Sequence, residues 1–242
     1  MGDGELEIRT LDTAAEMASI VTVFQQVWGS VTPIVGVELL RAIAHAGGYV
    51  AGAFDSGNIV GASFGFLARH QGHEALHSHV TGILPGVQHG GVGRAMKTHQ
   101  RHWAAERGIP WITWTFDPLV RRNAWFNIEV LGAHISEYLV NFYGPMSDSI
   151  NAQDETDRLV VAWPTDDATP RPSPPPGSTR VEVATPDDIV VLRRTDPTEA
   201  MRWRCQVREE LAPLLDRGGV LTGFTRDGAY VVHTSTPHRP AD

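Results

Sequence analysis

The chain has 242 residues, of which 20 are Lys or Arg and 28 are Asp or Glu, so its formal net charge is -8. This acidic balance argues against a nucleic-acid-binding protein, whose affinity depends on a basic face. Hydrophobic residues make up 42% and charged residues 20%, which is typical of a folded globular protein and not of a disordered one.

No stretch of the sequence resembles a targeting or membrane-spanning segment. The start, MGDGELEIRT, lacks the basic and apolar regions of a secretory signal, and no apolar run approaches the roughly 18 residues of a transmembrane helix. Cys205 is the only cysteine, so no internal disulfide can form, which is typical of a reducing compartment. We therefore expect a cytoplasmic protein that binds neither membrane nor nucleic acid, and a homodimer stays open.

Predicted strands and helices alternate in the first two thirds of the chain. Three successive strands in the middle favour a mixed sheet over a purely parallel one, within an α+β fold class. In chain order, the pattern predicts a strand at 6–9, a helix from the N-cap Asp12 to Trp28, a helix at 33–45, a hairpin of strands at 49–54 and 59–67, a strand at 75–84 broken at Gly82, a helix at 91–107, a strand at 111–116, a short helix at 121–131, and strands at 134–143 and 158–163.

A proline-rich stretch divides the chain. Six of the 16 prolines fall in WPTDDATPRPSPPPG, residues 163–177, and such a segment is typical of an extended, semi-stiff linker. We predict a first domain over residues 1–163, a linker over 164–177, and a small C-terminal α/β extension over 178–242. The extension is too small for much independent stability, so we expect it to dock on the first domain or on a partner subunit.

The extension itself shows strand and helix patterns. A strand at 180–184 precedes the helix-start signal Pro186-Asp187-Asp188. An amphipathic helix follows at 200–215, and it contains Cys205, which we expect to be a buried thiol and not a nucleophile. A terminal hairpin is predicted at 220–224 and 229–233, around Asp227-Gly228.

The segment from His79 to Lys97, HVTGILPGVQHGGVGRAMK, is the most informative of the chain. An apolar strand enters a turn in which Gly90, Gly91 and Gly93 introduce a helix. Where Cβ atoms are missing at a helix N-terminus, several backbone N–H groups can converge on an anion such as a phosphate or pyrophosphate. Gly-Lys-Ser/Thr is absent, and Met96 stands where a dinucleotide fingerprint requires Gly or Ala. A glycine-rich turn without a ligand is the alternative.

Gln88-His89-Gly90-Gly91-Val92-Gly93 resembles the Gln/Arg-x-x-Gly-x-Gly/Ala signature of the GCN5-related N-acetyltransferase (GNAT) superfamily. The preceding strand, Pro85 before the turn, and the following helix fit the same family, and the likeness covers about residues 5 to 163. The segments SHVTGILPGVQHGGVGRAMK and TWTFDPLVRRNAWFNIEVLGA, with the ending DRLVVAWP, look like a poorly characterised bacterial branch of predicted acetyltransferases. The resemblance implies a mixed, mostly antiparallel sheet flanked by helices.

In that family the glycine turn binds the pyrophosphate of acetyl-CoA, and the fourth strand splays from the fifth, often at a bulge for which Gly82 is a sensible place. The resemblance therefore implies acetyl-CoA, or another acyl-CoA, as co-substrate without a metal, and direct attack of an amine on the thioester. A backbone N–H near Thr81–Ile83 would support the oxyanion. The implied cofactor-binding residues are Thr81, Gly82, Ile83, Gln88, His89, Gly90, Gly91, Val92, Gly93, Arg94 and Asn123; for Asn123, a helix cap is the alternative.

Histidines are the candidates for the base that the reaction needs. His77 and His79 share a face of the strand before the glycine turn, and a neutral imidazole could accept the amine's proton. His79 is the preferred base because it is nearer the splay; a histidine that only shapes the strand is the alternative. Many family members place a tyrosine, the thiolate's acid, where this chain has Ile128. Tyr143 is the nearest substitute, although a packed aromatic is the alternative there.

Three charged residues after the strand at 111–116 are candidates for substrate recognition: Asp117, Arg121 and Arg122. Arginine suits bidentate carboxylate binding, and a solvated charged loop is the alternative. Seven histidines between His70 and His102 raise a metal hypothesis, yet His99 and His102 are the only close helical pair and no cysteine or carboxylate cluster accompanies them.

Three functions follow from these patterns. The leading prediction is an acetyl-CoA-dependent N-acetyltransferase that acts on the amine of a small or amino-acid-like molecule. The alternative is a catalytically inactive acyl-CoA-binding or regulatory module, which the missing tyrosine keeps open. A histidine-metal hydrolase is the third.

Overall fold

The computed structural model describes residues 6–87, 91–144 and 154–235. The chain forms two compact units: the first comprises Met1–Trp114 with Pro164–Asp166, and the second comprises Thr115–Trp163 with Asp167–Asp242. The domain boundaries expected at the proline-rich stretch stay a prediction. Within the described ranges, no helix is both long and apolar enough to cross a membrane.

Strands β1 to β7 belong to a mixed, mostly antiparallel sheet flanked by helices, and β8 to β10 form a second sheet, which confirms the predicted α+β class. The predicted order of elements is also confirmed. The strands are β1 Leu6–Thr10, β2 Tyr49–Asp55, β3 Asn58–His70, β4 His73–Ile83, β5 Trp111–Phe116, β6 His134–Leu139, β7 Arg158–Pro164, β8 Thr179–Ala184, β9 Val220–Phe224 and β10 Ala229–Thr234. The helices are α1 Ala14–Trp28, α2 Val37–His45, α3 Val92–Ala105, α4 Arg121–Trp125, α5 Ile189–Thr195 and α6 Pro197–Asp216; a π-helical turn, Phe126–Val130, follows α4.

The N-cap of helix α1 lies one residue later in the chain than predicted. The N-cap is Thr13 and not Asp12, because the Thr13 hydroxyl accepts from the Glu16 N–H while the Glu16 carboxylate accepts from the Thr13 N–H. This reciprocal pair satisfies two donors that a helix start would otherwise leave open. The sequence Thr13-Ala14-Ala15-Glu16 has the spacing of a capping box, which favours Thr13 over Asp12 as the N-cap.

Apolar clusters lie between the helices and the sheet in the described part of the first unit. Helices α1 and α2 contribute Met17, Phe24 and Leu40 to a cluster that includes Val50 and Phe64 of the sheet. Helix α3 contributes to a second cluster, composed of Val92, Met96, Ala53 and Val60. The predicted hairpin joins β2 to β3, and Ser56 and Gly57 both have positive φ, as a tight two-residue turn requires.

Strand β4 is not broken at Gly82, contrary to prediction. Gly82 pairs with Ala62 inside a continuous β3–β4 ladder. A glycine is needed there because a Cβ would lie 2.8 Å from Cζ3 of Trp28. The irregularity lies instead at His79: Phe64 pairs with Val80 and Gly65 pairs with Ser78, so His79 is the extra residue of a β-bulge.

The second unit contains the antiparallel pair β6–β7 and the sheet ordered β8-β10-β9. The C-terminal segment packs on residues that follow β5: the Tyr230 hydroxyl donates to the carbonyl of Pro118 at 2.7 Å. Cys205, in α6, is half-buried. The predicted terminal hairpin is present as β9 and β10, with Gly228 at φ +87°.

Candidate functional site

Strands β4 and β5 run side by side over a short distance only. Along the described strands, their parallel ladder comprises three pairs and ends where His77 meets Thr113. Beyond that point β4 continues to Ile83 with β3 as its partner. The expected opening between the fourth and fifth strands therefore begins at His77, and the bulge at His79 follows two residues later.

His77 is half-buried at this last pair. Its Nδ1 lies 3.2 Å from the hydroxyl oxygen of Thr113, which fixes the ring on the sheet. Burial, with smaller contributions from His79 and Lys97, lowers the pKa of His77 to about 4. The imidazole is therefore neutral near pH 7 and held in one orientation.

His79 is the more accessible of the two imidazoles. Its ring centroid lies 5.4 Å from that of Phe64, 5.6 Å from that of Phe66 and 6.0 Å from that of His77. Partial burial among these rings lowers the pKa of His79 below its ordinary 6.5. A neutral, accessible imidazole is the form that can accept a proton. The two histidines share a face, as predicted.

The residues predicted to support the thioester lie at the end of β4. Thr81, Gly82 and Ile83 pair with Ser63, Ala62 and Gly61 of β3, and the hydroxyl oxygens of Thr81 and Ser63 are 2.8 Å apart. These contacts occupy one edge of the strand. The role assigned to their other edge stays a prediction.

Glycines begin helix α3, as the sequence predicts. Gly91 is the N-cap with φ +76°, no side chain caps the helix, and the first turn contains no acidic residue. A Cβ added at Gly91 or Gly93 would meet no atom within 4 Å, so packing does not explain the glycines. The first N–H groups of a helix lack intrahelical acceptors, and with open space beside them they suit an anion. Val92 is buried and Arg94 exposed; Gln88, His89 and Gly90 lie outside the described residues.

Lys97, the only lysine of the chain, is a group that the site prediction missed. Its Nζ donates to the Ser78 hydroxyl at 2.9 Å and to Oε1 of Gln100 at 3.2 Å, and it lies 3.9 Å from the Trp114 ring centroid. Lys97 is only 6% exposed, and burial lowers its pKa from 10.5 to about 7. The signal was available: Lys97 falls on the buried stripe of α3, next to Met96.

In the second unit, Asp117 belongs to a buried cluster of ion pairs, and its predicted contact with substrate stays a prediction. Asp117 is 7% exposed, and both of its carboxylate oxygens accept from Arg204, at 2.9 and 3.0 Å. Arg193 joins Asp117 to Asp154, so two carboxylates and two guanidinium groups form a buried cluster. Asp117 is therefore occupied within its own unit.

Arg121 and Arg122 differ from each other in their surroundings: Arg121 has hydrogen-bond partners in the C-terminal segment, whereas the side chain of Arg122 is exposed. Arg121 donates to Thr185 and to Asp187, and its guanidinium lies against Gly228, where a Cβ would be 2.0 Å from Nε. Arg121 thus contacts the C-terminal segment, and its predicted role in substrate recognition stays a prediction. Arg122 is exposed, and its predicted role stays a prediction.

Tyr143 and Asn123 also lie in the second unit. The exposed Tyr143 has its hydroxyl oxygen 3.2 Å from that of Thr115 at the end of β5. Asn123 is half-buried in α4, whereas Ile128 is buried in the π-helical turn. The roles of Tyr143 as acid and of Asn123 as cofactor contact stay predictions.

In the described part of the chain, no group of three or more His, Cys, Asp or Glu residues could hold a metal ion. Nδ1 of His99 lies 2.9 Å from the hydroxyl oxygen of Tyr49, so His99 has a structural partner.

No model of a known protein family matches the chain, and no curated protein matches it. Solved structures do. The yncA protein of Salmonella typhimurium, determined with its cofactor acetyl-CoA, is 16% identical at a TM-score of 0.53, over 69% of this chain and 97% of that one. The ribosomal-protein-S18-alanine N-acetyltransferase of Escherichia coli is 17% identical at 0.52, over 68% and 97%. A chain of the NatC complex bound to Gag peptide and CoA is 12% identical at 0.52, over 66% and 98%. The chain shares the fold of these three structures.

Proposed function

We propose that the protein is an acetyl-CoA-dependent N-acetyltransferase of the GNAT superfamily. It transfers an acyl group to the amine of a small or amino-acid-like acceptor, and it works in the cytoplasm. The observation that carries the proposal is the early end of the β4–β5 ladder at His77, followed by the bulge at His79. According to the sequence resemblance, the family's acyl donor lies along the edge of the fourth strand where that strand splays from the fifth.

The start of α3 supports acyl-CoA as the donor. Its first N–H groups have no intrahelical acceptors, and the helix dipole favours negative charge at this end. Glycines at positions 91 and 93 leave space for a pyrophosphate, and the first turn carries no carboxylate that would repel one. We assign the pyrophosphate of the donor to this turn.

His79 is the proposed base. In the reaction, the amine nitrogen forms a bond to the acyl carbon while the bond between that carbon and the CoA sulfur breaks. The amine loses a proton to His79, and the thiolate takes one from an acid, for which Tyr143 is the candidate. The lowered pKa of His79 keeps its imidazole neutral near pH 7, ready to accept that proton.

The alternative, a module that binds acyl-CoA without turnover, also has an observation in its favour. Ile128, which stands where the family often has the acid, is buried and cannot donate a proton. Both functions include CoA binding, but only the transferase releases free thiol when an amine is added.

The test is acceptor-dependent thiol release, measured with acetyl-CoA and a panel of primary amines and amino acids. We expect turnover by the wild type and a loss of about a hundredfold or more in kcat for His79→Ala, since a general base contributes at least that much. His73→Ala is the matched control, because His73 is an exposed histidine at the far end of the same strand. Acetyl-CoA binding without thiol release would favour the inactive module.

A further inference from the structure

Four aromatic rings form a continuous row on one face of β3 and β4. We call Phe64, Phe66, His77 and His79 the aromatic row. Phe66 and His77 are direct cross-strand partners, with ring centroids 5.2 Å apart. His79 lies between the two phenylalanines, at 5.4 Å from Phe64 and 5.6 Å from Phe66. The bulge places the His79 ring in this row.

The row is buried at one end and open at the other. Phe64 is 3% exposed and packs on Phe24 of α1, whereas Phe66 is 39% exposed and His79 is accessible as well. A large aromatic side chain in a strand centre is usually covered, and an exposed ring beside two imidazoles offers a flat surface for another flat group. The open end lies where the β4–β5 ladder stops.

The row carries no fixed charge near neutral pH. The lowered pKa values of His77 and His79 keep both imidazoles neutral. In the described residues, the ring contacts and hydrogen bonds of the four members go to aromatic groups and to the Thr113 hydroxyl. Lys97 lies beyond Ser78, which points to the other face of β4 between the two histidines. Among the described contacts of the four side chains, none is an ion pair or a hydrogen bond with a cationic side chain that a carboxylate could share.

We infer that the aromatic row is the acceptor-binding surface, and that the acceptor is a primary amine attached to an aromatic or similarly flat apolar group without a carboxylate. The inference rests on the proposed function, whose acceptor it narrows. The ring of the acceptor would stack on Phe66 and the imidazoles. Its ammonium is attracted by the faces of the same rings and lies within reach of a neutral base, His79, that can take the proton.

Binding without acetyl-CoA tests the inference independently of turnover. In histidine and aromatic NMR spectra, 2-phenylethylamine should shift the signals of His77, His79 and Phe66, while n-butylamine, which has no ring, and phenylalanine, which adds a carboxylate, should bind at least about tenfold more weakly. Phe66→Ala should weaken 2-phenylethylamine binding about tenfold. Leu67→Ala is the matched control: Leu67 is the adjacent residue, 53% exposed, on the opposite face of β3.

A second test of the inference measures the turnover of different amines with acetyl-CoA. We expect 2-phenylethylamine to exceed n-butylamine about tenfold in kcat/KM, and this preference to disappear in Phe66→Ala but not in Leu67→Ala. Equal binding of the two amines, or a preference that Phe66→Ala leaves intact, would overturn the inference. Localised binding of 2-phenylethylamine without thiol release from any amine would sustain the surface while contradicting the transferase, so the two failures are distinguishable.

Discussion

Nζ of Lys97 lies 2.9 Å from the hydroxyl oxygen of Ser78, and both residues are buried. Ser78 stands between His77 and His79 in β4, directly before the bulge at His79. Lys97 belongs to helix α3. The contact therefore ties the helix that begins at the glycine turn to the strand segment that carries the proposed base. A lysine buried at this position costs free energy, and that cost makes the contact measurable.

Lys97→Met should change how stability depends on pH. An unfolded chain keeps this lysine protonated up to about its ordinary 10.5, whereas in the folded protein its pKa is about 7. Below pH 7 both states hold the proton and the folded protein bears the cost of the buried charge. As the pH rises above 7, only the unfolded chain retains the proton, so the wild type gains about 2–3 kcal/mol in free energy of unfolding between pH 7 and 9.

The Lys97→Met variant should lack that gain. Denaturant titrations at pH 6, 7, 8 and 9 measure the difference between the two proteins at each pH, and Arg94→Met, which removes an exposed cation of the same helix, should run parallel to the wild type. A difference that stays constant from pH 6 to 9 would contradict the depressed pKa.

The same substitution should raise the pKa of His77. Burial is the main cause of its low value, about 4, and the charges of His79 and Lys97 add to it. Removal of the ammonium makes protonation of the imidazole easier, yet burial remains, so the pKa should rise while staying below 6.5. An NMR titration of the imidazole Cε1–H signals follows it; an unchanged or lower value would contradict the arrangement.

Two glycines near the proposed site should respond oppositely to alanine. A Cβ at Gly82 would stand 2.8 Å from the Trp28 ring, so Gly82→Ala should cost about 1–3 kcal/mol of stability through overpacking. A Cβ at Gly93 meets open space within a helix, so Gly93→Ala should leave stability unchanged or slightly raised. Thermal denaturation of both variants checks the pair, and equal losses would argue against the packing described for Gly82.

Arg204→Met should destabilise the second unit by about 3–5 kcal/mol, because it leaves Asp117 and Asp154 with one guanidinium between them. Burial alone would raise the pKa of Asp117, but the charges of Arg204 and Arg193 outweigh it and hold that pKa well below 3.8. The stabilisation is therefore present above pH 4 and is lost as the pH falls further. Arg202→Met, at an exposed ion pair with Glu199, is the control and should change the denaturation midpoint little.

The sequence was sufficient for the order of elements and for the glycine that begins α3. Periodicity located β4, α3 and β5 within a few residues, because apolar spacing and glycine punctuation are local signals. The terminal hairpin around Gly228 followed from turn chemistry in the same way. These features depend on neighbours in the chain, which a single sequence displays.

The features that the sequence did not predict depend on contacts between residues that are far apart in the chain. Asp117 looked like a loop residue because Arg204, its partner, lies 87 positions later. The sequence predicted the irregularity of β4 at Gly82, but the structure has a bulge at His79 instead. A glycine is needed at position 82 because a Cβ there would be too close to the Trp28 ring. Tertiary packing determines the conformation and the partners of such residues, and a local sequence pattern does not predict them.

The central claim is that the turn before α3 binds the pyrophosphate of an acyl-CoA donor. Calorimetric titration with acetyl-CoA tests it most directly, on the wild type, Gly93→Glu and Thr98→Glu. The glutamate at position 93 has room to fit and places a negative charge in the helix's first turn, whereas Thr98 is exposed further along α3. We predict that the wild type and Thr98→Glu bind and that Gly93→Glu does not. Absence of wild-type binding up to about a millimolar ligand, or equal binding by Gly93→Glu, would contradict the account.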